Sequence, residues 1–248
     1  MFDELDYAES WGGDYDDWLD RILPPLADPD LVAAELSRRA AAGPVLELGV
    51  GTGRIALPLH KLGHDVHGVD ASERMLRSLR DKPGGGEITT TVQKMSALDL
   101  PAATFGLVYV VFNTFFGIPS QEGQVACFHA VAAGLVPGGR FVVEAFVPDL
   151  TRFTQGQFVR TTRVEGDSCL LEVATHARDR QHIDAAYIHL SSRGIDIKAV
   201  PMRYAYPAEL DLMAQLAGLR LIERLGGWHG DSFTDSSPVH ISVYERAG

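Results

Sequence analysis

Ten consecutive residues, Val45 to Arg54, read VLELGVGTGR and constrain the fold more than any other stretch of the chain. Val45, Leu46 and Leu48 form a short apolar run suited to a strand buried in the middle of a sheet. Gly49, Gly51 and Gly53 follow at alternate positions, and a helical pattern, Ile55-Ala56-Leu57-Pro58-Leu59-His60-Lys61-Leu62, comes next. A strand that turns through glycines into a helix builds a site for a polar ligand. The backbone can be approached closely, and the free N–H groups of the first helical turn point at whatever lies there.

The spacing selects between two ligand classes. A dinucleotide fingerprint, GxGxxG, needs a third glycine where helix meets strand; counting from Gly49, that position is Arg54. What stands here is GxGxG with a carboxylate, Glu47, two residues ahead of the first glycine. An acid repels a pyrophosphate and suits a cation. The acidic strand end followed by GxGxG resembles the first motif of class I S-adenosylmethionine-dependent methyltransferases, whose cofactor carries an ammonium group on its methionine portion. The resemblance implies Glu47, Gly49, Gly51, Gly53 and Arg54 as cofactor-binding residues. The alternative is a glycine-rich turn that holds no ligand.

At 248 residues with 46% hydrophobic content, the chain suits one sizeable α/β domain with room for an inserted subdomain. A net charge of −11 argues against extended contact with nucleic acid or with an anionic membrane surface. Cys127 and Cys169 lie far apart without metal-like spacing, so a reducing, cytoplasmic setting and no metal are expected. MFDELDYAES lacks the basic and apolar regions of a signal peptide. No stretch of about 18 apolar residues is present to span a membrane. The expected partner is a small molecule, with a homodimer as a possible assembly.

Ahead of the glycine turn, residues 1–42 read as a helical N-terminal segment. Tyr7, Trp11, Tyr15 and Trp18 share one face if that part is helical. Two readings stand: the face packs on the core, or it closes as a lid with rings such as Tyr15 against the cofactor's adenosine or the acceptor. A second helix is expected from Asp30 to Ala42, capped by Asp28 or Asp30 with Pro29 near its first turn.

Past the glycine turn, His64 to Asp70 reads as a second strand ending in an acid. A carboxylate there can accept from both hydroxyls of a ribose, which is the role the resemblance implies for Asp70. Helix capping is the alternative. A helix starts over Ala71 to Leu76, with Ser72 a natural N-cap, and Ala71 and Met75 are further candidate cofactor-binding residues. Glu87 to Gln93 reads as the third strand. Similar proteins carry Asp and an apolar residue after it, the acid lying near the adenine amino group; here the pair is Lys94-Met95. Met95 carries over as an adenine neighbour, and recognition passes to backbone, Ser96 or Asp99. Phe105 to Phe112 is the fourth strand, with Gly106 where similar proteins often have Asp. Asn113, at its carboxyl end, either holds cofactor or acceptor or is a plain turn residue. Gln121 to Leu135 reads as a helix stopped by Pro137-Gly138-Gly139, and Arg140 to Phe146 as the fifth strand. The run LVPGGRFVVE also resembles class I methyltransferases.

From 148 to 201 apolar and polar residues alternate between turn signals, so an inserted antiparallel sheet is expected on the acceptor side. An insertion there resembles sugar and glycine N-methyltransferases. His176, His182 and His189 fit no usual metal spacing. The core then resumes over 202–248, joining 43–147: a helix from Pro207 to Ala217, a strand from Leu219 to Leu225 and a last strand from Val239 to Arg246. The connection between the strands is too short for a crossover helix, so the last strand should run antiparallel. The fold expected is thus a Rossmann-like, seven-stranded α/β sheet flanked by helices, with an inserted antiparallel sheet and an N-terminal helical lid.

The whole resembles small bacterial natural-product and sugar N-methyltransferases. It implies transfer of a methyl group from S-adenosylmethionine to N or O of a small-molecule acceptor. A hydroxyl acceptor would gain from a base, for which His229, oriented by Asp231, is the candidate; a wide hairpin loop is the plainer account of both. Two further readings are use of the cofactor without methyl transfer, and a non-catalytic subunit that keeps the fold.

Overall fold

The computed structural model describes Glu4, residues 15–22 and residues 27–247. Tyr7 and Trp11, half of the aromatic face read in the N-terminal segment, lie outside the described residues. Among the described residues the strands form two sheets. The larger contains β1 (Val45–Leu48), β2 (Val66–Asp70), β3 (Thr89–Val92), β4 (Phe105–Val110), β5 (Leu135–Phe146), β10 (Leu219–Leu225) and β11 (Val239–Arg246), in the order β10-β11-β5-β4-β1-β2-β3. β1 to β5 run parallel, and β11 is antiparallel to both of its neighbours, β5 and β10. The smaller is an antiparallel meander of β6 (Gln157–Glu165), β7 (Ser168–Ala177), β8 (His182–Ser191) and β9 (Gly194–Arg203). The helices are α1 (Tyr15–Ile22), α2 (Pro29–Arg39), α3 (Ala56–Lys61), α4 (Glu73–Arg80), α5 (Gln121–Gly134) and α6 (Pro207–Leu216).

The unbroken apolar runs of the central strands follow from cover on both faces. Leu107 and Tyr109 of β4 enter one core with Val45 and Ile55, while Val108 and Val110 enter the other with Leu46, Leu48 and Phe141. The same alternation puts Glu47 on the Tyr109 side of β1. Side-chain caps start three helices. Asp28 accepts the Asp30 N–H at 3.0 Å with Pro29 in the first turn of α2, Ser72 accepts the Met75 N–H at 3.4 Å, and Ser120 accepts the Gly123 N–H at 3.0 Å.

Several boundaries move. α2 stops at Arg39 because Ala40 turns extended. β3 begins at Thr89, since Gly85–Glu87 form a 3₁₀ turn. β4 ends at Val110 because Phe112 and Asn113 both take left-handed φ angles, 57° and 62°. β5 begins earlier, at Leu135, and the Pro137-Gly138-Gly139 turn sits inside it as a break in register against β4.

Gly106 has a steric cause. A Cβ there would lie 2.3 Å from the Ala41 carbonyl oxygen, because the backbone before β1 bonds to this point, the Gly106 N–H donating to Pro44 O at 2.9 Å. An Asp does not fit.

The small sheet is tied to the core by polar contacts. Arg203 is buried and pairs with Glu209 of α6 at 2.7 Å, the Gln124 amide donates to Arg203 O at 2.9 Å, and a His182 ring nitrogen meets Pro119 O at 2.8 Å. His176 bonds the Tyr204 hydroxyl at 2.9 Å.

Candidate functional site

At the carboxyl ends of β1 and β2 a cavity of about 600 Å³, its open mouth included, is lined by Tyr15, Gly49, Gly51, Asp70, Ala71, Met75, Gln93, Met95, Thr114, Gly117 and Glu4. The place is where open α/β sheets bind ligands.

The three glycines of the turn do different work, although all have positive φ. A Cβ on Gly49 would strike Thr114 Cγ2 at 2.3 Å, and one on Gly53 would strike Leu79 Cδ1 at 2.1 Å. On Gly51 it would meet nothing nearer than 4.0 Å, there the Tyr15 ring and Gly49 O. Gly49 and Gly53 thus serve packing, whereas Gly51 keeps the cavity open.

Asp70 anchors the turn to β2. Its carboxylate accepts the Gly51 N–H at 2.9 Å through one oxygen and the Ser72 N–H at 2.9 Å through the other. Burial raises its pKa from the ordinary value, opposed by these hydrogen bonds. Lone-pair capacity remains on both oxygens for a ligand's hydroxyls.

Glu47 lies under the turn, outside the cavity lining. It is buried, accepts the Tyr109 hydroxyl at 2.8 Å and a backbone hydrogen bond from Ala56, and has its pKa pushed up to about 8 by burial. Its visible role is to start α3 and hold it to β4. Arg54 stacks over the Phe112 ring at 4.1 Å and donates to Ala27 O at 2.7 Å, also beneath the cavity. Asn113 accepts the Phe146 N–H at 2.6 Å, and half-buried Glu144 accepts that of Phe112 at 3.1 Å. These two bonds hold the left-handed Phe112-Asn113 pair, strain that fixes the end of β4 and delivers Thr114 and Gly117 to the cavity wall.

After β3, the cavity receives Gln93 and Met95 rather than Lys94. Gln93 is tied at both ends to the Asp99 backbone, at 2.8 and 3.3 Å. The donors offered are backbone N–H groups, of Met95 at 2.7 Å and Ser96 at 3.2 Å to the Glu4 carboxylate.

α1 forms one wall. Asp16 accepts the Thr52 hydroxyl at 2.6 Å and pairs with Lys82 at 2.6 Å, which clamps α1 to the glycine turn. On its other side Trp18 donates its indole N–H to Asp196 of β9 at 2.7 Å and packs with Met75 and Leu170. Tyr15 faces the cavity, where burial first and Asp70 second push its pKa up to about 12. A second cavity lies across α1, lined by Trp18, Cys169, Leu170, His189, Asp196 and the hairpin ends of the small sheet.

His229 and Asp231 are exposed on the loop between β10 and β11 and line neither cavity. The Asp231 carbonyl accepts the Gly226 N–H at 2.7 Å, which shapes a hairpin loop. The structure does not bring this pair to the site. Sequence reasoning missed Glu4, Gln93, Thr114 and Gly117; of these, Thr114 was findable from its closeness to Asn113 at the strand end.

Residues 45–139 match a family profile described as a methyltransferase domain. A cypemycin N-terminal methyltransferase of a Streptomyces species is 30% identical over 233 residues, 93% of this chain and 94% of that protein. The CcbJ methyltransferase from Streptomyces caelestis is 40% identical, with a TM-score of 0.91 and all of both chains covered. CalS10, a SAM-bound amino pentose methyltransferase from Micromonospora echinaspora involved in calicheamicin biosynthesis, shares the fold at 21% identity and a TM-score of 0.68, over 94% of this chain and 96% of that one. With identities of 30% and 40% carried over nearly the whole of each chain, the chain belongs to the S-adenosylmethionine-dependent methyltransferases.

Proposed function

We propose that the chain methylates an amine nitrogen of a small molecule in natural-product tailoring. The cofactor would occupy the cavity over Gly51. The residues there fit it: Gly51 leaves the cradle that a Cβ would fill, Asp70 can take ribose hydroxyls, and Ala71, Met75 and Met95 give an apolar berth for the purine. Glu47, Gly53, Arg54 and Asn113 would support this site from beneath, and Tyr15 would close it.

The nitrogen assignment is carried by one observation: among the described residues, no base stands poised in the cavity. Glu4 and Asp70 are each held by two backbone N–H groups, and Tyr15, at about 12, keeps its proton near neutrality. The cofactor's sulfonium supplies an electrophilic methyl carbon. The chain then need only align a lone pair with it and exclude water. A neutral amine brings that lone pair, whereas a hydroxyl would need a base. The Streptomyces relative named an N-terminal methyltransferase supports the same assignment, and the cavity across α1, against the small sheet, is the place proposed for the rest of the acceptor.

The test is to incubate the enzyme with S-adenosylmethionine and a panel of small amines and matched alcohols, following S-adenosylhomocysteine and the methylated product. Methylated amines are expected, with a rate that rises with pH through the acceptor's own pKa and does not change in His229→Ala. Products methylated only on oxygen, or a rate lost in His229→Ala, would overturn the assignment.

A further inference from the structure

Glu4 is a buried carboxylate, 6% exposed, inside the cavity. One oxygen accepts the Met95 N–H at 2.7 Å and the other the Ser96 N–H at 3.2 Å. A carboxylate has about four lone-pair positions, so these bonds leave two that only a hydrogen-bond donor can satisfy. Of the other acceptors along that wall, Gln93 is tied at both ends to Asp99, and the capacity Asp70 keeps beyond Gly51 and Ser72 is the part proposed above for ribose hydroxyls. Position 94 offers Lys, whose side chain is not part of the lining. Glu4 therefore turns a pair of backbone donors into an acceptor, beside the apolar side chains of Met75 and Met95. A flat heterocycle lying on those side chains finds a hydrogen bond at this edge only if it carries an N–H group.

We propose that Glu4, delivered from the N-terminal segment, is the specificity-determining residue that accepts a hydrogen bond from the 6-amino group of the cofactor's adenine. The assignment rests on the cofactor site proposed above. It makes Glu4, 91 positions ahead of Met95, part of cofactor recognition. Glu4 acts by selecting and orienting the purine, with no part in the chemical step.

The experiment is calorimetric titration of the full chain with S-adenosylhomocysteine and with its analogue bearing hydrogen in place of the 6-amino group. Loss of a hydrogen bond to a charged acceptor predicts about ten- to a hundred-fold weaker binding of the analogue to the wild type. In Glu4→Ala the two ligands should bind alike, because the adenine form alone weakens. Glu4→Gln, which keeps the shape and one acceptor oxygen, should retain part of the preference and guards against a folding defect in the first variant. Equal binding of both ligands by the wild type overturns the assignment. So does a Glu4→Ala variant that tightens both, since Glu4 would then merely block the site, or one that weakens both by the same factor, as a partner of the ammonium group would. If S-adenosylhomocysteine does not bind the wild type at all, the cofactor site itself is refuted and Glu4 with it.

Discussion

Gly51 and Gly53 differ in what their missing side chains would meet, and replacing each by alanine separates binding from stability. Both sit at left-handed φ, 54° and 83°, so either alanine costs about 1–2 kcal/mol in backbone conformation. At Gly53 the new methyl would overlap Leu79 Cδ1 at 2.1 Å and crowd Leu57 Cγ at 3.3 Å. Leu79 is fully buried, and overpacking a filled core adds about 1–3 kcal/mol. At Gly51 the methyl stands 4.0 Å from its nearest neighbours and projects into the cavity. Gly51→Ala should thus lose only the backbone cost yet bind S-adenosylhomocysteine at least about tenfold more weakly, near 1.4 kcal/mol. Gly53→Ala should lose about 2–5 kcal/mol of stability with the smaller effect on affinity of what still folds. Urea unfolding read by circular dichroism and calorimetric titration of the same preparations measure both quantities. Equal destabilisation by the two variants, or unchanged affinity in Gly51→Ala, would refute the division of labour among the glycines.

Glu47→Gln should flatten the dependence of stability on pH. Because burial raises the Glu47 pKa from 4.5 to about 8, its protonated form is favoured by folding. The stability this contributes is fully present below about pH 4.5 and is lost as pH rises through about 8. Unfolding curves at pH 5 and 8.5 should diverge in the wild type and converge in the variant, and parallel behaviour would show that Glu47 is not titrating there. Asp70→Ala strips the acceptor from the Gly51 and Ser72 N–H groups. It should lose about 1–3 kcal/mol of stability and about 1.5–3 kcal/mol of affinity for S-adenosylhomocysteine; normal affinity in titration would reduce Asp70 to a structural anchor. Gly106→Asp should unfold at markedly lower urea than the wild type, since its Cβ would lie 2.3 Å from a backbone oxygen; wild-type stability would mean the chain before β1 moves aside freely.

Local chemistry made much of the architecture readable. Buried parallel strands are unbroken apolar runs, glycines mark the turn after β1, Ser72 and Asp28 cap helices in place, and alternation across 148–201 marks the antiparallel sheet. The short link after β10 could hold no crossover helix, which set the direction of the last strand. The element edges that shifted did so through backbone conformation, as where Phe112 and Asn113 turn left-handed and cut β4 short.

The roles of individual residues in the site depended on partners distant in sequence. Glu47, Gly49 and Gly51 are near neighbours in one motif, yet alternation along β1 turns Glu47 under the turn to Tyr109, while Gly51 lines the cavity with open space where a Cβ would stand. Glu4 reaches Met95 across 91 positions, and Trp18 reaches Asp196 across 178. His229 and Asp231 looked like a base and its orienter, but the β10–β11 loop leaves them exposed and outside both cavities. Periodicity and capping act within a few residues, so strands, turns and helices were legible along the chain. Only the tertiary structure decided which side chains share the cavity, because that follows from packing between segments whose separation along the chain leaves no local trace.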